Sequence, residues 1–327
     1  MPKAVVDAEV LEQALDLACR APSLHNSQPW RWVVEGAVLH LFSDPSRIGR
    51  STDSTGREVL ISCGAVLDHL RVAMAAAGWQ TNVDRFPNPN NLSHLVSIDF
   101  SPMEFVTDAH RARAEAIRRR RTDRLPFASP PDWDSFEPVL LDTVNARLAV
   151  LDVIEDGSRP QLADASRLTE ESRRYDSSYH AELSWWTRQL ESVQGIPPSA
   201  LVSEAEAAQL DVSRHFPTSG KDARRAEIGH DHSRILVLST YDDSRPSALG
   251  AGEVLSTVLL ECTMAGLATN TLTHMIEVTP AREIVRRLTG KHGLPQVLIR
   301  VGKAPESETP PPATPRRPLT DVLEIRR

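Results

Sequence analysis

Cysteine is scarce: Cys19, Cys63 and Cys262 are the only three in 327 residues, far apart and set among apolar helical neighbours. An odd, scattered set excludes a disulfide framework and reads as buried thiols of a reducing compartment, so a cytoplasmic location is expected. No run approaches the roughly 18 apolar residues that a membrane span needs. The opening stretch MPKAVVDAEVLEQAL has early charges and no continuous apolar core before a small-residue cleavage site, so neither membrane nor export is expected. Also absent are a Gly-x-Ser-x-Gly elbow, a His-Glu-x-x-His pair and a glycine-rich phosphate loop of Walker or Rossmann type. His230-Asp231-His232 is the one dense histidine spot, and with no cysteine or second acidic cluster beside it no metal site is expected. A net charge of -7 argues against a general polyanion binder, which makes any local concentration of arginine conspicuous.

With 40% hydrophobic and 25% charged residues the chain is ordinary globular material, and its length predicts two domains or one duplicated domain. Residues 7–20 carry an apolar helical period, and Trp30–Val34 with Val38–Phe42 form a hairpin about Glu35-Gly36-Ala37. Glu58 to Ala77 is apolar nearly all round, the mark of a helix buried on most sides, and Gly78 stops it. The phrase recurs: Gly64 and Gly78 align with Gly252 and Gly266 at one offset, 252 - 64 = 188 and 266 - 78 = 188. An aliphatic strand ending in Ser/Thr and Asp precedes each copy and an extended segment follows it, so duplication is the reading. Between the copies, 107–120 is a charged helix, 147–154 a strand and 159–192 helical, with Trp185-Trp186 free to be exposed or to cover something. Residues 195–232 mix Pro, Ser, charge and short helical pieces, a length of irregular chain that inside a compact domain reads as a lid. A helix at 280–289 and a strand at 296–301 lead to a proline-rich tail, 303–318, which can cross a surface at low entropic cost.

Two polar segments carry chemistry. Ala21-Pro22-Ser23-Leu24-His25-Asn26-Ser27-Gln28-Pro29-Trp30-Arg31-Trp32 ends a helix, sets out hydroxyl and amide groups and enters a strand. Ser23, Asn26 and Gln28 can each donate and accept, which suits a flat heteroaromatic ligand; an ordinary helix-to-strand turn is the alternative. Arg118-Arg119-Arg120-Arg121-Thr122-Asp123-Arg124 concentrates guanidiniums and a hydroxyl in an acidic protein. It is either a solvated helix end or a phosphate cradle, since guanidinium donors match phosphate oxygens in pairs. No aromatic interleaving or helix-turn-helix pattern accompanies it, so no nucleic-acid partner is expected.

The first segment resembles the P-S-x-x-N-x-Q-P-W signature of the nitroreductase superfamily, and the second resembles that superfamily's R-[RH]-[ST]-x-[RK]-x-[FP] element. Thr314-Pro315-Arg316-Arg317-Pro318 is similar to the family's P-[KR]-x-R-x-P end, except that the two basic residues are adjacent here. Over nearly the full length the chain is most similar to the Acg type of actinobacteria, in which two nitroreductase-like halves are fused. The resemblance implies an α+β nitroreductase fold, internally duplicated, with central antiparallel-rich sheets flanked by helices and arranged as an intramolecular pseudo-dimer. It divides the chain into 1–105, the first half, and 106–327, the second, with a lid insertion at 195–232 and a wrapping tail at 303–327. It implies one FMN per chain across the seam. Pro22, Ser23, Asn26 and Gln28 would line the ring, and Arg120, Thr122, Arg124 and Arg316 or Arg317 would hold the phosphate. Thr271 and Thr273 stand where family backbone amides approach flavin N5 and where the family often has Pro and Glu-Gly. No catalytic side chain is implied, because the isoalloxazine itself takes the hydride.

Two functions stay open on these grounds. One is an FMN-dependent oxidoreductase passing electrons from NAD(P)H to nitroaromatic or quinone-like small molecules. The other is an FMN-sequestering or storage protein whose lid closes the pocket and which turns over little NAD(P)H. An interaction protein with a vestigial pocket is a weaker third. A monomer acting as its own pseudo-dimer, or a weak homodimer, is expected.

Overall fold

The computed structural model describes residues 4–326 other than 48, 189–193, 219, 291–292 and 307–312. The expected helix over 189–192 and part of the proline-rich tail lie outside the described residues. In chain order the elements are α1 Ala8–Ala18, β1 Trp30–Glu35, β2 Val38–Ser43, α2 Arg57–Ala76, β3 Trp79–Arg85, β4 His94–Pro102, α3 Asp108–Arg119 and α4 Trp133–Thr143. There follow β5 Val150–Ile154, α5 Arg159–Arg173, α6 Ser177–Thr187, α7 Glu204–Ala208, β6 Arg234–Thr240, α8 Arg245–Met264, β7 Ala268–Leu272, α9 Thr279–Leu288, β8 Leu294–Gly302, α10 Leu319–Val322 and β9 Leu323–Arg326.

The two sheets repeat one topology. The first runs β3-β4-β2-β1-β9 and the second β7-β8-β6-β5 in the same sense, every pairing antiparallel except the added β9. A strand pair, a long helix and a second strand pair therefore occur twice. The fold is α+β and duplicated.

The long helices α2 and α8, apolar on all sides, meet at the centre. Residues 188 apart face each other there. A Cβ placed on Gly64 would lie 2.0 Å from the Leu249 carbonyl oxygen, and one on Gly252 would lie 2.0 Å from that of Ile61; 249 - 188 = 61. Ser256 Oγ donates to Asp68 Oδ2 at 2.6 Å, and 256 - 188 = 68. The contact is thus close to twofold symmetric, and side chains are dispensed with where the backbones cross. Leu67, Leu70 and Met74 are wholly buried, each worth about 1.5–3 kcal/mol of apolar transfer. One continuous core runs from α1 and the first sheet through this helix pair into the second sheet. By length and composition α2 is apolar enough to cross a membrane, a property the sequence expectation missed, but 83% of the qualifying window is buried against protein. All three cysteines are free and buried, as expected, and burial raises the Cys19 thiol to about 12.

The remaining differences have local causes. The predicted helix over 159–192 is two helices, because Asp176 leaves helical geometry and accepts from Tyr179 N at 2.9 Å as an N-cap. Trp186 is buried while Trp185 stays half exposed. The segment 195–232 is pinned as well as irregular. Arg225 donates to Asp123 Oδ2 at 2.6 Å, Arg224 grips Glu206, and Asp231 lies between Arg159 and Arg300, each at 2.6 Å. Asp231 of the histidine spot is therefore an ion-pair centre. The tail returns to the first half: β9 pairs in parallel with β1, Trp32 opposite Leu323.

Candidate functional site

A cleft of about 100 Å³ opens where early and late parts of the chain meet. Its walls come from seven places: the turn after α1, the first turns of α2, the loop after α3, the 195–232 segment, α8 at Leu255, β7 with the residue after it, and β8 at Val297. A smaller recess of about 40 Å³ shares Pro22, Ser23, Thr122 and Arg124 with it and adds Asn26 and Arg316.

The turn after α1 is strained and heavily tied. His25, Asn26 and Gln28 have φ of 51°, 58° and 49°, costly for residues with side chains at about 1–3 kcal/mol each. Ser23 Oγ accepts from Gln28 N at 3.0 Å, Leu24 N donates to Ser62 Oγ at 3.3 Å, and Asn26 Nδ2 donates to the Pro315 carbonyl at 3.1 Å. Gln28 Oε1 accepts from Arg317 N at 2.8 Å. First half and tail hold each other in this turn.

The loop after α3 is fixed on the second sheet, with Asp123 N donating to the Thr269 carbonyl at 2.9 Å and Ala128 exchanging backbone bonds with Lys303. It presents Thr122 and Arg124 to cleft and recess alike. Around the recess the guanidiniums outnumber their partners. Among the described residues no carboxylate forms an ion pair with Arg20, Arg120, Arg121, Arg124 or Arg316. Arg120 and Arg316 each donate to the Arg20 carbonyl at the end of α1, at 3.3 and 3.0 Å, yet Arg120 Nε and Nη1 and Arg316 Nε are buried without partners. Burial, reinforced by Arg316, Arg121 and Arg20, lowers the Arg120 guanidinium to about 9. Burial also lowers Arg316 to about 10, helped by Arg20 and Arg121, and Arg124 to about 10, with Arg214 adding and Asp123 opposing. Crowded cations with idle donors leave positive charge here that no group among the described residues offsets.

Pro22, Ser23, Thr122 and Arg124 line both spaces, Thr271 and Thr273 the cleft, and Asn26 and Arg316 the recess. Three expected contacts lie one layer back. Gln28 is fully buried and holds the Arg317 backbone. Arg120 is buried behind the recess, and Arg317 reaches the Asp321 carbonyl at 2.9 Å and Asp44 at 3.9 Å. Of the two adjacent tail arginines it is Arg316 that faces the recess, because Gln28 fixes the next residue's backbone the other way. Arg118 and Arg119 stay exposed.

Sequence reasoning missed His25, Glu58, Arg214 and Phe216 in the cleft wall. His25 is buried, stacks on Trp186 at 5.9 Å and meets the edge of Phe216 at 5.7 Å; burial, then Arg214 and Arg124, hold its imidazole well below the usual range. Arg214 forms a buried pair with Glu277 and donates to Thr273 Oγ1 at 3.0 Å, latching the 195–232 segment to the second half. Only Glu58 had a legible signal, an acid in the first turn of an otherwise apolar helix.

Burial raises the Glu58 carboxyl to about 8, with Asp53 adding to the shift and Arg57 opposing it. The native state therefore binds a proton that the unfolded chain releases near pH 4.5, so stability falls as pH rises from about 4.5 to about 8 and levels off above. Urea unfolding across pH 5–9 should show that decline, on the order of 3–5 kcal/mol at its largest, and Glu58→Gln should remove most of it. An unchanged slope in the variant would assign the decline elsewhere.

The second copy of the site is filled. Gly250, related to Ser62 by 250 - 188 = 62, leaves room only for Leu148, 3.3 Å from where its Cβ would be. Arg245, related to Arg57 by 245 - 188 = 57, covers Phe86 at 5.7 Å. The duplicated fold keeps one open cleft of this kind among the described residues.

The Mycobacterium tuberculosis protein named "Putative NAD(P)H nitroreductase acg" is 59% identical over 326 residues, covering 100% of this chain and 98% of that one. A second protein of that organism carries the same kind of name and is 40% identical over 322 residues, 97% of this chain and 92% of its own. Among solved structures, the FMN-dependent nitroreductase NfnB of Mycobacterium smegmatis, determined with NADPH, aligns with a TM-score of 0.41 and 14% identity over 67% of this chain and all of that one. No protein-family model matches. The chain is a nitroreductase-family protein. Within that family it belongs with the fused-half Acg proteins.

Proposed function

We propose that the chain binds one FMN across the seam and passes electrons from NAD(P)H to a small nitroaromatic or quinone-like acceptor. The observation that carries this is the set of uncompensated guanidiniums beside a cleft walled by the strained Ser23 turn. A dianionic phosphate in the recess supplies a partner for Arg316 and offsets the buried charge of Arg120 behind it, and Arg124 with Thr122 completes the shell. The cleft offers a flat ring apolar cover from Leu24, Ile61, Leu255 and Phe216, with Ser23 and Thr271 at its edge. Bound flavin supplies hydride transfer; the chain's part is to orient it and exclude water. This reading takes 1–105 and 106–327 as the two halves, 195–232 as the lid and 303–327 as the tail. A single chain then forms the site without a partner. The names of the relatives, NAD(P)H nitroreductases, support the same class.

The latched segment favours a second reading. Arg214–Glu277 and Arg225–Asp123 close the roof, and a cleft shut in this way retains flavin while refusing a second reactant. Anaerobic mixing of the FMN-loaded protein with NADPH or NADH separates the two. Bleaching within seconds is the expected result for a reductase. Flavin that only dithionite bleaches would instead make this a storage protein.

A further inference from the structure

Glu58 is a buried acid in the cleft wall that has a second carboxylate, Asp53, near it as well as its ion-pair partner Arg57. It is 3% exposed and lines the cleft from the first turn of α2, facing Arg214 and Glu277 across it. Arg57 lies beside it in the same turn and contacts Oε1. Beneath it Asp53 is equally buried. Asp53 Oδ2 accepts from Val59 N at 2.9 Å, while Oδ1 is buried with no donor, and the nearby Asp53 carboxyl adds to the rise of the Glu58 carboxyl. Two ionised carboxylates offer each other only lone pairs; a single proton between them satisfies Oδ1 and removes the repulsion. Arg214 does not fill this role, since Glu277 and Thr273 already take its donors. The position related to Glu58 in α8 is Pro246, 246 - 188 = 58, so the acid occurs only where the cleft is open.

We propose that Glu58 is the acid of this cleft, holding a proton shared with Asp53 and giving it to the oxygen of the bound acceptor during reduction. This rests on the flavin-reductase reading. A quinone takes up a hydride and a proton to become the hydroquinone. The hydride originates from NAD(P)H, which leaves as NAD(P)+; the Glu58 O–H bond breaks, an O–H bond forms on the acceptor, and the carboxylate regains its proton from water. Burial keeps the carboxyl protonated up to about pH 8, and the transfer answers the negative charge that hydride arrival places on the acceptor oxygen.

Infrared spectroscopy and stopped-flow kinetics test this together. At pH 7 the wild-type protein should show a buried carboxylic-acid C=O band that shifts in D2O, is lost in Glu58→Gln and moves in Asp53→Asn. With menadione as acceptor, Glu58→Gln should slow reoxidation of the reduced flavin about 100-fold, far more than it slows bleaching by NADPH, with Glu58→Asp recovering part of the loss. Wild-type reoxidation should slow above about pH 8, a limb absent from the variant. A band that survives in Glu58→Gln, or an equal slowing of both half-reactions, overturns the proposal. A chain that takes up no FMN defeats the flavin reading instead, and the infrared band of the colourless protein still decides whether the proton is there.

Discussion

Arg124→Ala and Arg316→Ala should each weaken FMN binding by about 10–100-fold, and the pair together by more than either alone, while exposed Arg50→Ala leaves it within about twofold. Charge-assisted bonds of this kind contribute about 1.5–3 kcal/mol. The two side chains border the recess, and among the described residues lining it there is no carboxylate to compete with a phosphate for them. Arg120→Ala should also weaken binding, although Arg120 sits behind the recess, because it removes buried positive charge that only an anion neutralises. Equilibrium dialysis of the refolded apo-proteins gives the constants. Equal affinity in Arg50→Ala and Arg316→Ala would remove the phosphate assignment. Inorganic phosphate should compete with FMN in the wild type and compete less well in Arg316→Ala.

The second large effect is structural. Alanine normally improves a helix over glycine by about 1 kcal/mol. At Gly64 or Gly252 the sign should reverse, with a loss of roughly 3–5 kcal/mol, because the new methyl meets a backbone carbonyl at 2.0 Å and neither helix can yield without opening the core. Gly36→Ala, in an open turn with φ of 61° and nothing within 4 Å, should cost only about 1 kcal/mol. Urea midpoints of the three variants test the contrast. Parity among them would mean that α2 and α8 do not cross so closely.

How much of this was legible follows from what each feature depends on. The duplicated helices announced themselves through composition and a shared glycine spacing, because a helix buried on all sides has no polar face to vary. Ser23, Thr122 and Arg124, which line the cleft and the recess, could be named from the sequence because their chemistry is local to a short string. Gln28, Arg120 and Arg317 were misplaced by one layer, because which end of a loop faces inward depends on a partner 289 residues away. Arg214 and Phe216 gave no signal, as their role is set by where an irregular segment comes to rest. Strand β4 and helix α4 were also missed; α4 contains Pro138 and begins at Asp132 with φ of 51°, neither of which resembles a helix start.

Strand β9, late in the chain, docks beside β1, near its start, and Arg316, a few residues before β9, reaches back to Arg20 and Ala21. The recess is thus incomplete until residues 316–326 have been made, whatever the earlier residues have already achieved. Such end-to-end closure is slow, since almost the whole chain must be looped before it forms. Nascent chains stalled before the tail would accordingly emerge colourless, and cofactor capture would be a late act of maturation.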